Sequence, residues 1–106
     1  ELGLSVICVP EIISALNRRR RERSLTAAQY DKAKQQLFGD IRDADIINLA
    51  VSVVSSAIGV LEASPVRAMD AFHIACALEW GAQLFVSSDK QQLSAARRAG
   101  LRTHAV

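Results

Sequence analysis

The chain has 106 residues, with 13 Lys and Arg against 11 Asp and Glu, a formal net charge of +2, and 50% hydrophobic but only 5% aromatic residues. That length supports one core of ordinary size and falls short of the roughly 150 residues at which a second domain becomes the expectation. The apolar content excludes disorder, and the near balance of charge excludes a histone-like polycation.

Leu4 to Val9 is a short, largely β-branched run that suits a buried parallel strand, with Pro10 ending it and opening a helix. Ile12, Ile13 and Leu16 give that helix an apolar face before it dissolves into Arg18, Arg19, Arg20, Arg21, Glu22 and Arg23. After the Ser24-Leu25-Thr26 break, Thr26 caps a second helix running to about Phe38, where Gly39 stops it. Asp45 to Ala50 reads as a second strand. Val51 to Leu61 reads as a helix with Val54, Ala57, Ile58 and Leu61 on its inner face. Val66 to Trp80 is apolar nearly all round, which predicts a largely buried helix ended by Gly81, with Met69, Phe72 and Trp80 in the core. Gln83 to Ser88, Lys90 to Ala99 and Arg102 to Val106 complete the chain as strand, helix and strand.

The stretch Ile46 to Leu61 is interrupted by Asn48, Ser52, Ser55, Ser56 and Gly59 and is shorter than the roughly 20 residues a membrane span needs. Cys8 and Cys76 each sit in an apolar run rather than in loops, which predicts reduced thiols and a cytoplasmic protein. Residue 1 is glutamate and a strand-like run begins by residue 4, so the chain is expected to start inside a domain.

Strands alternating with helices predict an α/β fold, a mostly parallel sheet covered on both faces. In such sheets ligand sites form at the carboxyl ends of the strands. Glu11 follows the first strand by two residues, Asp89 follows the third directly, and Asp70 lies in the first turns of helix 66–80. Three carboxylates on one edge suit a hard divalent cation, Mg2+ or Mn2+. Each also has a structural reading. Glu11 complements a helix N-terminus, Asp89 caps a helix with Gln92 three residues on to complete a capping box, and Arg67 offers Asp70 an ion pair. The arginines Arg18, Arg19 and Arg20 suit phosphate contacts on RNA, or simply the negative C-terminal end of their helix. His73, one turn after Asp70, reads as a packing residue.

Three blocks carry a resemblance. They are Val9-Pro10-Glu11-Ile12-Ile13-Ser14-Ala15-Leu16, then Val66-Arg67-Ala68-Met69-Asp70-Ala71-Phe72-His73-Ile74-Ala75, then Phe85-Val86-Ser87-Ser88-Asp89-Lys90 backed by Ala95 to Leu101. Together they resemble a PIN domain, most closely the ribonuclease toxins of VapC type. The resemblance implies a three-layer α/β/α fold, divalent-metal-dependent cleavage of RNA, and neutralisation by a cognate antitoxin protein. It places Glu11, Asp70 and Asp89 among the family's metal-site acids, as catalytic residues, with Ser87 near the site. It also implies an absent first strand, the middle strand of the family's sheet, together with the acid that ends it. The expected consequence is a strand received from elsewhere, either from upstream residues absent from this sequence or from another chain, by homo-oligomerisation or from a strand-supplying partner, because losing a central strand forfeits roughly ten ladder hydrogen bonds of about 1 kcal/mol each. The competing reading is a catalytically inactive PIN-like fragment that binds protein or RNA. A receiver-like or nucleotide-binding domain is disfavoured, since no glycine-rich phosphate loop follows any strand.

Overall fold

The computed structural model describes residues 1–106. The chain folds in the order β1 (Gly3–Ser5), α1 (Cys8–Arg21), α2 (Ala27–Ile41), β2 (Asp45–Ile47), α3 (Val51–Ala63), α4 (Ala68–Trp80), β3 (Phe85–Ser87), α5 (Lys90–Arg98) and β4 (Thr103–Ala105). The fold is mixed α/β, and every strand pairing is parallel, as expected. No helix is long and apolar enough to cross a membrane.

One expectation about the sheet fails. The four strands do not join: β1 pairs only with β2, and β3 only with β4. The reason lies beneath them. Gly3 rests against the Trp80 ring, so close that a Cβ there would meet it at 2.9 Å, and Ser5 hydrogen-bonds His73. β1 therefore runs from the C-terminal end of α4 towards its N-terminal end. β3 begins just after α4 ends and delivers Ser87 to Gln92, which in turn reaches Asp70 at the other end of the same helix. Both inner strands thus cross α4 in the same direction and stand apart on either side of it. A groove of about 540 Å³ opens there, walled by β1 and β3 and floored by His73, Cys76, Ala77 and Trp80.

The buried cluster lies entirely between Val53 and Leu101 and centres on Ala71, Ile74, Ala75 and Cys76 of α4, with Val53, Ala57 and Val60 of α3 and Leu93, Ala95 and Ala96 of α5 around them. The inner face of α3 is thus one residue away from the expected one. Val54, Ile58 and Leu61 look outward, because small Ala57 and the valines flanking it let α3 approach α4 closely. Met69 is exposed and Trp80 only half-buried, so neither is a core residue as expected. By contrast α1 buries no residue and α2 only Tyr30. These two helices pack on each other as a hairpin that extends the molecule to a radius of gyration of 14.8 Å, above the roughly 13 Å usual for a chain of about 100 residues.

The local signals mostly act as read. Thr26 and Gln29 form a complete capping box at the start of α2, and Gly81 adopts the left-handed conformation (φ 76°) that ends α4. Two signals mislead. α1 begins at Cys8, ahead of Pro10, because the first turn of a helix has no use for an N–H and tolerates the ring. α2 runs through Gly39 to Ile41, since an interior glycine costs only about 1 kcal/mol and stops nothing by itself.

Candidate functional site

The groove between the two sheets carries its polar groups at one end. Both inner strands finish there and α4 begins there, so Glu11, Asp70, Ser87 and Asp89 share one rim. Each owes its place to local structure. Glu11 projects from the first turn of α1 and Asp70 from the first turn of α4, where the helix dipoles favour negative charge. Asp89 is the N-cap of α5, its Oδ1 accepting the Gln92 N–H at 3.0 Å. The strand-end geometry expected from the sequence therefore brings all three acids to the same edge.

Two hydrogen-bonded strings organise this rim. On the β1 side, His73 stands between Ser5 and Glu11, with Nδ1 2.8 Å from Ser5 Oγ and Nε2 against the Glu11 carboxylate. A carboxylate can only accept, so Nε2 carries a proton, and in a neutral ring Nδ1 then accepts from the Ser5 hydroxyl. Ser5 is buried and His73 nearly so, whereas Glu11 is largely exposed, so the string leads from the groove wall out to solvent. On the β3 side, Gln92 joins three residues. Its Nε2 donates to Asp70 Oδ1 at 3.2 Å, its Oε1 accepts from Ser87 Oγ at 2.6 Å, and its backbone N–H donates to Asp89. The expected capping box at Asp89 is thus half made. The Asp89 N–H goes to Ser87 Oγ instead (3.0 Å), which releases the Gln92 side chain to reach Asp70.

These bonds correct two expectations. Arg67 is the N-cap of α4 and makes no ion pair with Asp70, whose partner is the neutral Gln92. His73 is a member of the site rather than a packing residue, its Nε2 hydrogen-bonding the Glu11 carboxylate. The sequence alone gives Ser5 no role and gives Gln92 only that of a capping-box partner of Asp89, not its bonds to Asp70 and Ser87. The available signals were the spacing of Asp70 and His73, which puts both on one face of α4, and of Asp89 and Gln92. The Ser5 bond spans 68 residues and left no local trace.

The three carboxylates fit a hard cation in donor type. For each, the bonds described engage one oxygen and leave the second outside them. Their spacing is more open than a ligand set requires, since no three His, Cys, Asp or Glu side chains lie close enough together to hold a metal ion. Cys8 lines the same groove, and burial, helped by the nearby Glu11 charge, pushes its thiol above the usual range. Cys76, on the groove floor, is pushed up by burial while the nearby Ser5 hydroxyl opposes the shift. Neither cysteine is in a disulfide. Arg18, Arg19 and Arg20 lie in the last turn of α1, at the opposite end of that helix from Glu11. Arg20 donates to Asn17 and stacks 4.4 Å over the Tyr30 ring, a structural use of at least one of them.

The sequence matches no protein-family model, and no curated protein matches it either.

Proposed function

We propose that the protein is a divalent-metal-dependent endoribonuclease of PIN-like, three-layer α/β/α architecture, acting as the toxin of a toxin-antitoxin pair in the cytoplasm. The observation that carries the proposal is the gathering of Glu11, Asp70 and Asp89 on one rim of one groove, at the carboxyl ends of the strands and at helix starts. The resemblance of the three sequence blocks to the PIN family supplies the reaction class.

In this reading Glu11, Asp70 and Asp89 hold Mg2+ or Mn2+, directly or through water. When bound, the cation neutralises phosphodiester charge and lowers the pKa of a coordinated water. The protein's own groups do the positioning. Gln92 fixes the Asp70 oxygen it bonds, Ser87 fixes Gln92, and His73 holds Glu11 from beneath. One of the three carboxylates accepts the proton of the attacking water. RNA reaches the rim from solvent, where Glu11 and Asp89 are exposed. Arg18, Arg19 and Arg20 lie along α1 as phosphate contacts for the flanking RNA.

A second reading is favoured by one specific bond. Glu11 is already committed to His73, which suits a catalytically inactive module that binds protein or RNA. Cleavage separates the two. Incubation of a labelled RNA mixture with the protein and Mg2+ or Mn2+ is expected to yield cuts that EDTA suppresses. Asp70→Asn is expected to abolish them with thermal unfolding unchanged, because asparagine keeps the Gln92 contact and loses the charge a hard cation needs. Metal-independent cutting, or full activity in Asp70→Asn, would overturn the nuclease reading.

A further inference from the structure

The outward face of α3 takes no part in the groove or its rim. Val51, Val54, Ile58 and Leu61 form one stripe there, at the alternating three- and four-residue spacing of a helix-pairing seam, and all four are exposed, Val51 at 87% and Ile58 at 52%. Single apolar residues are ordinary on a surface, whereas a continuous stripe marks a contact. Charge does not offset it, because Glu62 is the one charged residue between Val51 and Ala63.

The two ends of the helix select what fits the stripe. Ala50 gives α3 no side-chain cap and its first turn carries no acid, so the free N–H groups and the positive dipole end there lack a side-chain partner. The helix's only acid, Glu62, stands in the last turn, where the dipole disfavours it, and has no ion pair within the chain. A second α3 laid antiparallel across a two-fold axis sets Val51 against Leu61 and Val54 against Ile58, and brings each Glu62 to the other's uncapped N-terminus. A parallel pair would set Glu62 beside Glu62. We propose that the outward face of α3 binds a second copy of this chain, with the two α3 helices antiparallel. Two helices of this length bury roughly 800–1,000 Å² in total, the low end for a specific interface, so the dimer is weak, dissociating at about 10–100 µM. It is joined by helices and leaves the β1 and β3 edges as they are. Because β2 runs parallel to β1 and α3 starts just after β2 ends, α3 begins at the rim edge, and its reversal in the partner points the two rims in opposite directions.

Sedimentation velocity of the whole natural polypeptide across the micromolar range should show a monomer–dimer equilibrium. Ile58→Asp should raise its dissociation constant at least tenfold, while urea unfolding measured well below that constant stays unchanged, since the Ile58 side chain lies outside the core. Chains carrying Val51→Cys and chains carrying Leu61→Cys, mixed and oxidised, should yield the mixed disulfide in excess over both homodimers. A dimer indifferent to Ile58→Asp would be built elsewhere, by strand exchange for example, and an excess of the two homodimers would mean parallel pairing. A soluble gadolinium chelate sorts the monomeric outcomes. A monomer whose Ile58 methyl signals it broadens has a bare α3 face, and a monomer whose Ile58 methyl signals it spares has that face covered by residues upstream of Glu1 or downstream of Val106. Each of these four results would overturn the proposal, and none of them bears on whether the rim cuts RNA.

Discussion

Residues 51–106 and residues 1–50 are built to different standards. The later half holds every member of the main core cluster, with α4 wedged between α3 and α5 and Ala71, Ile74, Ala75 and Ala96 sealed from solvent. The earlier half holds Ser5, Ile7 and Tyr30 as its only buried residues, and its two helices form a hairpin tied to the rest through β1 and the Glu11–His73 pair. One region is stabilised by packing. The other depends on a few polar contacts and one short ladder, so a site assembled from both has one firm side and one adjustable side. Asp70, Ser87, Asp89 and Gln92 belong to the firm side and Glu11 to the adjustable one.

The largest expected effect comes from the core. Ile74→Ala should lower unfolding free energy by about 2–5 kcal/mol, because the side chain is fully enclosed and the cavity left behind adds to the lost transfer energy. Urea denaturation checks it, and a loss below 1 kcal/mol would break the picture of a tightly packed later half. Tyr30→Ala should act locally instead. Tyr30 accepts the Asn17 amide at 3.1 Å and lies under Arg20, so its removal separates α1 from α2. Amide exchange is expected to accelerate across residues 8–41 while the amides of α4 keep their protection. Equal acceleration in both regions would show that the hairpin and the core unfold as one unit.

The smallest effect reads the first turn of α1, on the adjustable side of the site, through a thiol. Burial first, and then the Glu11 charge, raise Cys8 above the ordinary 9.0. A raised folded-state pKa means that the thiol's contribution to stability is intact below about pH 9 and is lost as pH rises through the folded value. Its titration, followed by ultraviolet absorbance of the thiolate in Cys76→Ser, should fall above pH 9 and move to lower pH in Glu11→Gln. An unchanged midpoint in that variant would place the Glu11 carboxylate farther from the Cys8 thiol than the structure has it.

The same contrast explains what could be read from the sequence. Signals that act within one turn were legible: the Thr26 box, the Gly81 stop, and the helix-start carboxylates. Choices settled by distant neighbours were not. The apolar residues of α3 form two overlapping stripes, Val53-Ala57-Val60 and Val54-Ile58-Leu61, and only contact with α4 selects the first. Pro10 and Gly39 carry breaker propensities that their positions override. The rim acids were placed by the rule that α/β sites form at strand ends, whereas His73, Ser5 and Gln92 acquire their roles from partners that the sequence alone does not bring together.

The proposed cation site joins Glu11, Asp70 and Asp89 across the two halves, and Mn2+ tests it most directly. Substoichiometric Mn2+ should broaden the amide signals around residues 11, 70 and 89 together, ahead of all others, and Asp70→Asn should abolish that selectivity. Broadening centred on the α2 carboxylates Asp31 and Asp40, or confined to one half of the molecule, would contradict the account.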